Sequence, residues 1–137
     1  MTAAVRSAME VRDAVEADAE ALAERSGAPR DVLRNVIHDR TVRVAEAEGE
    51  LLGFVSFDAR PGTVYVTQVS GAADVVEALL DEPVRFATTE SMSVELLVAD
   101  DDESLRAAAE ASAFEEAGPG PRFDDVQTVR YRFEPGP

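Results

Sequence analysis

A chain of 137 residues with an apolar fraction of 45% is long enough for one domain with one core, and too apolar for wholesale disorder. It has no cysteine, which excludes disulfides, thiolate nucleophiles and cysteine-ligated zinc, and no apolar run long enough to span a bilayer. Its 28 acidic residues against 13 basic ones give a formal net charge of -15, and its short basic stretches are interleaved with carboxylates, which argues against binding to nucleic acid or to an anionic membrane.

Residues 1–8 read as a flexible leader, without the basic segment and apolar stretch of a secretory signal, which fits a cytoplasmic protein. Residues 9–134 form a single domain, and 135–137 a tail. Met9–Asp13 alternates in polarity and reads as a strand. Glu16–Arg25 is rich in Ala, Glu and Leu, with acids at its start, and reads as a helix that Gly27 ends. Pro29 opens a second helix, in which Val32, Leu33, Val36 and Ile37 form an apolar stripe. Val42 and Val44 alternate with Arg43 up to a turn at Glu48-Gly49. Leu51–Asp58 is apolar on both faces, as in a central strand covered on both sides. Arg60-Pro61-Gly62 is a turn, and Thr63–Val69 is the third strand of this meander.

After Ser70-Gly71 the pattern turns helical from Ala72 to Leu80, and Pro83 breaks or kinks that helix. Ser93–Val98 reads as a buried strand, Asp102–Glu116 as a helix and Gly118–Pro121 as an irregular loop. Val126–Phe133 is the last strand, with Val129, Tyr131 and Phe133 on one face and Arg130 and Arg132 on the other. The predicted class is α/β (α+β): a mixed central sheet in the order β-α-α-β-β-β-α-β-α-β, helices on both faces. The meander must be antiparallel because its turns are short, and Thr63–Val98 should form a right-handed parallel crossover.

Over Met9–Phe133 this order resembles the layout of the GCN5-related N-acetyltransferases (GNAT). Met9–Leu22 is similar to that family's opening, a strand ending in Arg followed by an acid-started helix. Val98–Phe114 resembles its fifth strand and fourth helix, whose closing Gly-Phe is here Ala113-Phe114. The resemblance implies acetyl-CoA as cofactor, a small-molecule or peptide amine as acceptor, transfer by direct attack, and a monomer or homodimer. It places the cofactor against Val66, Val69, Ser70, Gly71, Ala72, Ala73, Asp74 and Val76.

The family's catalytic motifs are altered. Its Gln/Arg-x-x-Gly-x-Gly/Ala loop lets backbone N–H groups approach the pyrophosphate. Anchored on Leu79-Leu80, the corresponding stretch is Gly71–Val76, with Asp74 and Val76 where glycines are expected and Gly71 in place of the Arg or Gln. Asp74 would bring a carboxylate toward the phosphates, although the first-turn amides of the helix still favour an anion. The tyrosine that serves many relatives as general acid falls on Ala109, and the asparagine often found before that helix on Asp102. Tyr65 is the candidate catalytic residue, standing where a general base is sought, although a phenol with a reference pKa of about 10 is a poor base near neutrality. A second reading therefore stands beside the acyltransferase: a catalytically degenerate binding or regulatory module of the same fold that binds CoA weakly or not at all.

Outside these segments, His38 reads as an exposed helix-end residue against the dipole, and as a base in an acceptor groove if a partner faces it. Asp100-Asp101-Asp102-Glu103 lacks the spacing of a calcium loop and reads as helix-capping acids, so no metal site is expected. Arg130, Tyr131 and Arg132 read as a half-buried strand with a polar outer face. No Gly-x-Ser-x-Gly elbow supports a serine triad.

All 13 basic residues are arginine. Acid-rich, lysine-free chains of this kind resemble proteins of salt-loving archaea. A net charge of -15 repels itself in dilute buffer, whereas the screening length shrinks to ~3 Å at 1 M salt. The domain is expected to be more stable in molar KCl than in dilute buffer; a melting temperature that falls as KCl rises contradicts this.

Overall fold

Alternating polarity becomes strand and the Ala-, Glu- and Leu-rich stretches become helix in a computed structural model that describes residues 9–136. The expected leader and Pro137 lie outside the described residues. In chain order the elements are β1 (Glu10–Asp13), a 3-10 turn (Glu16–Asp18), α1 (Ala19–Ser26), α2 (Arg30–Asp39), β2 (Thr41–Ala47), β3 (Glu50–Arg60), β4 (Thr63–Ser70), α3 (Ala73–Glu90), β5 (Ser93–Ala99), α4 (Glu103–Ala111), β6 (Glu115–Pro119) and β7 (Thr128–Phe133). The strands form one sheet in the order β1-β2-β3-β4-β5-β7-β6. Only β4 and β5 run parallel; every other neighbouring pair is antiparallel. No helix among the described residues is long and apolar enough to cross a membrane.

The two sheet faces bury two apolar clusters. Ala19, Leu22 and Leu33 of α1 and α2 cover Val42, Val44 and Phe54. On the other face, Val75, Val76, Leu79 and Leu80 of α3 and Ala108 and Ala109 of α4 pack with Val55, Phe57, Val64, Val94, Leu96 and Tyr131. β3 therefore is a central strand, burying Phe54 on one side and Val55 and Phe57 on the other, as its unbroken apolar run requires. Arg12 clamps the short edge strand β1 to its surroundings. Its guanidinium donates to both oxygens of Asp18, at 2.9 and 3.1 Å, and to Glu46 at 3.2 Å. That partner holds the Asp18 carboxyl below the usual carboxylate range.

Three expectations need correction. The helix expected over Asp102–Glu116 stops at Ala111, and Glu115–Pro119, partly assigned to an irregular loop, is an edge strand. Ser112 ends the helix by turning extended while its hydroxyl and amide both bond back to the Ala108 carbonyl. Phe114 is then buried in the core and draws the following residues alongside β7. Pro119 is tolerated there because an edge strand can leave one side unpaired. Pro83 does not break its helix: α3 runs through it to Glu90. A proline in a helix interior costs about 3 kcal/mol, and the burial of Leu79, Leu80, Pro83 and Ala87 on one side of α3 offsets that cost. Val32 does not join the α2 stripe and is 48% exposed. A helix face takes residues at i, i+3 and i+4, so Leu33, Val36 and Ile37 pack inward while Val32 lies about 100° round the axis.

The backbone comes close where the end of β4 lies beside Gly53 of β3. A Cβ placed on Gly53 would stand 2.3 Å from the carbonyl oxygen of Ser70 and 3.2 Å from Cα of Gly71. Both are main-chain atoms that cannot rotate away. Gly53→Ala is expected to destabilise the domain by about 3 kcal/mol, read as a lower denaturation midpoint; an unchanged midpoint would mean that β3 and β4 separate freely here.

Candidate functional site

β4 and β5 pair from Thr63↔Ser93 to Val66↔Leu96 and then stop, although β4 continues to Ser70 and β5 to Ala99. The two strands thus splay at their carboxyl ends. Past Val66, β4 has backbone N–H and C=O groups on that edge without a strand partner, and such groups bind an extended ligand well. The separation begins at a β-bulge. The register with β3 jumps from Ser56↔Gln68 to Phe57↔Val66, leaving Thr67 as the extra residue.

At the wide end of the splay the chain turns through Ser70-Gly71 into α3. Gly71 has φ of +146°, and a Cβ there would meet Cγ1 of Val75 at 3.0 Å, so glycine is required by both conformation and space. A cavity of about 210 Å³ opens beside this turn. Val69, Ser70, Gly71, Ala72, Ala73 and Val76 form one wall, and Asp102, Ser104 and Leu105 at the start of α4 form the other. Two helix N-termini therefore share it. In α3 the first amide bonded inside the helix is that of Val76, to the Ala72 carbonyl, which leaves earlier first-turn amides pointing out of the helix end. In α4 the Asp102 side chain caps the helix, accepting the Leu105 N–H at 3.1 Å.

Six of the eight residues expected at the cofactor lie together here: Val69, Ser70, Gly71, Ala72, Ala73 and Val76. Val66 is the last residue of β4 paired with β5 and packs against the main core. Asp74 sits in the first turn of α3, partly buried, but does not line the cavity. Tyr65 also lies outside it. It is 41% exposed and stands beside Asp58 and Glu95, just before the splay. Ala109, the position of the family's helix tyrosine, is fully buried in the core. Ser104 and Leu105 escaped the sequence reading because nothing local marks them. Their signal is topological, since neighbouring parallel strands bring the segments after their carboxyl ends to one place.

The other candidates have structural partners. His38 Nε2 lies 3.3 Å from Glu16 at the exposed end of α2. Among the described residues, no three His, Cys, Asp or Glu side chains are grouped so as to hold a metal ion. Arg130 and Arg132 each donate to one oxygen of Glu95, at 2.8 and 3.1 Å. Tyr131 is buried; its hydroxyl donates to Glu110 at 2.7 Å and accepts from Arg106 at 3.1 Å. Burial is the main cause that raises its pKa.

No protein-family model and no curated protein sequence matches the chain. Solved structures do. A putative acetyltransferase of the GNAT family from Desulfovibrio desulfuricans matches with a TM-score of 0.75 and 17% identity, over 93% of this chain and 99% of that one. YncA from Salmonella typhimurium, a putative acetyltransferase solved with its cofactor acetyl-CoA, matches at 0.77 and 17%, over 92% and 93%. The ribosomal-protein-S18-alanine N-acetyltransferase of Escherichia coli matches at 0.76 and 11%, over 92% and 93%. At these identities the likeness concerns the fold: the chain has the GNAT fold.

Removing the Asp102 cap tests the geometry of the second wall. Asp102→Ala is expected to cost about 1 kcal/mol, and Asp102→Asn to cost far less, because asparagine caps as well as aspartate. Equal losses in chemical denaturation would show that the charge, not the cap, is what matters there.

Proposed function

We propose that this domain is an N-acyltransferase that holds acetyl-CoA between β4 and β5 and passes the acetyl group to an amine by direct attack. The observation that carries the reading is the splay beyond Val66↔Leu96, with its cavity placed at the N-terminus of α3. The residues present fit such a ligand. Ser70, Gly71, Ala72 and Ala73 are all small, so a pyrophosphate can come close to the first-turn amides of α3. The free edge of β4 past Val66 suits the amide groups of a pantetheine arm, which would pair as an added strand. Val69, Val76 and Leu105 give the cavity apolar walls.

Bound acetyl-CoA supplies an acyl group already activated as a thioester. The chain's own part is to align that carbonyl with N–H groups on β4 and to bring the amine to it. Held there, acetyl-CoA would supply an activated acyl group and a thiolate leaving group in exchange for the new carbon–nitrogen bond, and the proton released by the attacking amine would pass to water. A thiolate is a tolerable leaving group, so an alanine at position 109 slows this route without closing it. Tyr65 is exposed beside Glu95 and outside the cavity, which supports a role toward the acceptor rather than the cofactor. An amine acceptor is consistent with the alanine N-acetyltransferase of the same fold.

The second reading, a degenerate module that no longer transfers, is favoured by the glycine-poor loop and the missing helix tyrosine, and the Asp102 carboxylate in the cavity wall adds to them. Titration of acetyl-CoA into the protein in molar KCl, followed by calorimetry and chemical shifts, tests the first. Saturable binding with shifts centred on Val69–Val76 and Asp102–Leu105 is expected, and Asp102→Asn should tighten it by about tenfold by removing a nearby negative charge. Absence of binding at millimolar acetyl-CoA would remove the acyltransferase. Binding without turnover on a panel of amines would favour the degenerate module.

A further inference from the structure

We infer that the hydroxyl groups of Ser56 and Thr67 form a latch that fixes the bulge of β4 and thereby aims the backbone groups of the splay. The inference rests on the acyltransferase reading for its functional consequence, though not for its geometry.

Val64, Val66 and Val69 all pack against the α3-side core. Strand residues reach one face at intervals of two. The step from 64 to 66 obeys that rule, and the step from 66 to 69 does not. One extra residue must therefore sit between Val66 and Val69, but the pattern leaves open whether it is Thr67 or Gln68. The structure places it at Thr67. Ser56 is the β3 residue at the register break. Its pairing with Val42 turns it toward the α1–α2 face.

Ser56 is only 1% exposed. Its Oγ lies 2.7 Å from Oγ1 of Thr67, and Thr67 Oγ1 donates to the Ser56 carbonyl at 3.1 Å. With that donor committed, the Ser56 hydroxyl supplies the proton shared between the two oxygens. The arrangement satisfies a buried hydroxyl and a carbonyl at the break with one side chain.

The break coincides with the last pairing of β4 to β5, at Val66. Moving the bulge by one residue would reverse which groups of Thr67 and Gln68 face β5. The Ser56–Thr67 pair is therefore a positioning device: it touches no ligand, but it decides which N–H groups β4 presents in the splay.

The test compares the wild-type chain with Thr67→Val, Thr67→Ser and Ser56→Ala in molar KCl. Valine keeps the shape and the strand preference of threonine and removes the hydroxyl. In Thr67→Val the amide resonances of Gln68–Ser70 are expected to broaden or double as the bulge moves between positions, and acetyl-CoA affinity to fall by about tenfold or more. Thr67→Ser should restore single sharp resonances and wild-type affinity. Ser56→Ala keeps the Thr67-to-carbonyl bond and should show the same change in weaker form; it carries the test if Thr67→Val does not fold. Sharp, single Gln68–Ser70 resonances in the hydroxyl-deleted variants overturn the latch. So does a Thr67→Ser chain as disturbed as Thr67→Val, and so do broadened resonances with unchanged affinity in a wild type that binds. If the wild type binds no acetyl-CoA, the acyltransferase reading falls, and the line shapes alone decide the latch.

Discussion

Two parallel strands that pair for four residues and then part leave backbone groups that something must satisfy. In this domain nearly every feature of the candidate site follows from that parting. The bulge at Thr67 starts it, and the Ser70-Gly71 turn ends it. Gly53 leaves no side chain between β3 and the Ser70 carbonyl, so the end of β4 stays close against β3 while its other edge leaves β5. α3 and α4 then begin on either side of the gap, so their N-terminal amides face a common space. None of these residues needs to be chemically reactive to make a binding site, because the site is built from main chain.

The sequence was most legible where one face of an element is buried. Val129, Tyr131 and Phe133 alternate with Arg130 and Arg132 because one side of the sheet there packs and the other is polar, and Val42 and Val44 alternate with Arg43 because the valines enter the α1–α2 core while Arg43 pairs with Glu82 of α3. It was least legible where tertiary contact overrides local preference. Glu115–Pro119 has no apolar alternation and becomes a strand because β7 and the buried Phe114 hold it there. Pro83 would end a free helix, yet α3 continues because its next turns are pinned to the sheet. The first wall of the cavity was readable from the small residues after Ser70. The second was not, since Ser104 and Leu105 reach the site only through the pairing of β4 with β5. The bulge had a local signal, the three-residue step from Val66 to Val69.

Charge is arranged so that arginines join elements while the surplus of acid stays outside. Arg12 ties β1 to the turn before α1 and to β2. Arg43 of β2 reaches the buried Glu82 of α3 at 2.7 Å. Arg106 links α4 to β7 and β6, and Arg130 and Arg132 bridge β7 to β5. Each of these carboxylates meets a guanidinium, whose planar fork suits two contacts at once. The unpaired acids that remain repel one another mainly across water, where salt screens them. The self-repulsion that the net charge implies is therefore borne mainly by the surface, where salt can screen it.

That arrangement changes which residue limits the candidate site. The family motif would point to Asp74 and Val76, which replace glycines. Yet glycine is needed only where the backbone itself demands it, and here that is Gly71, which the chain retains. Ala72 and Ala73 are small enough to leave the amides of α3 accessible, and Asp74 lies outside the cavity wall. The group that opposes an anion is Asp102, on the facing wall. Its carboxylate is already bonded to the Leu105 N–H and lies against the positive end of α4, which offsets part of its charge. The same side chain thus caps one helix and sets a carboxylate in the wall that faces the N-terminus of another. Loss of the glycine-rich loop and loss of anion binding are therefore separate questions.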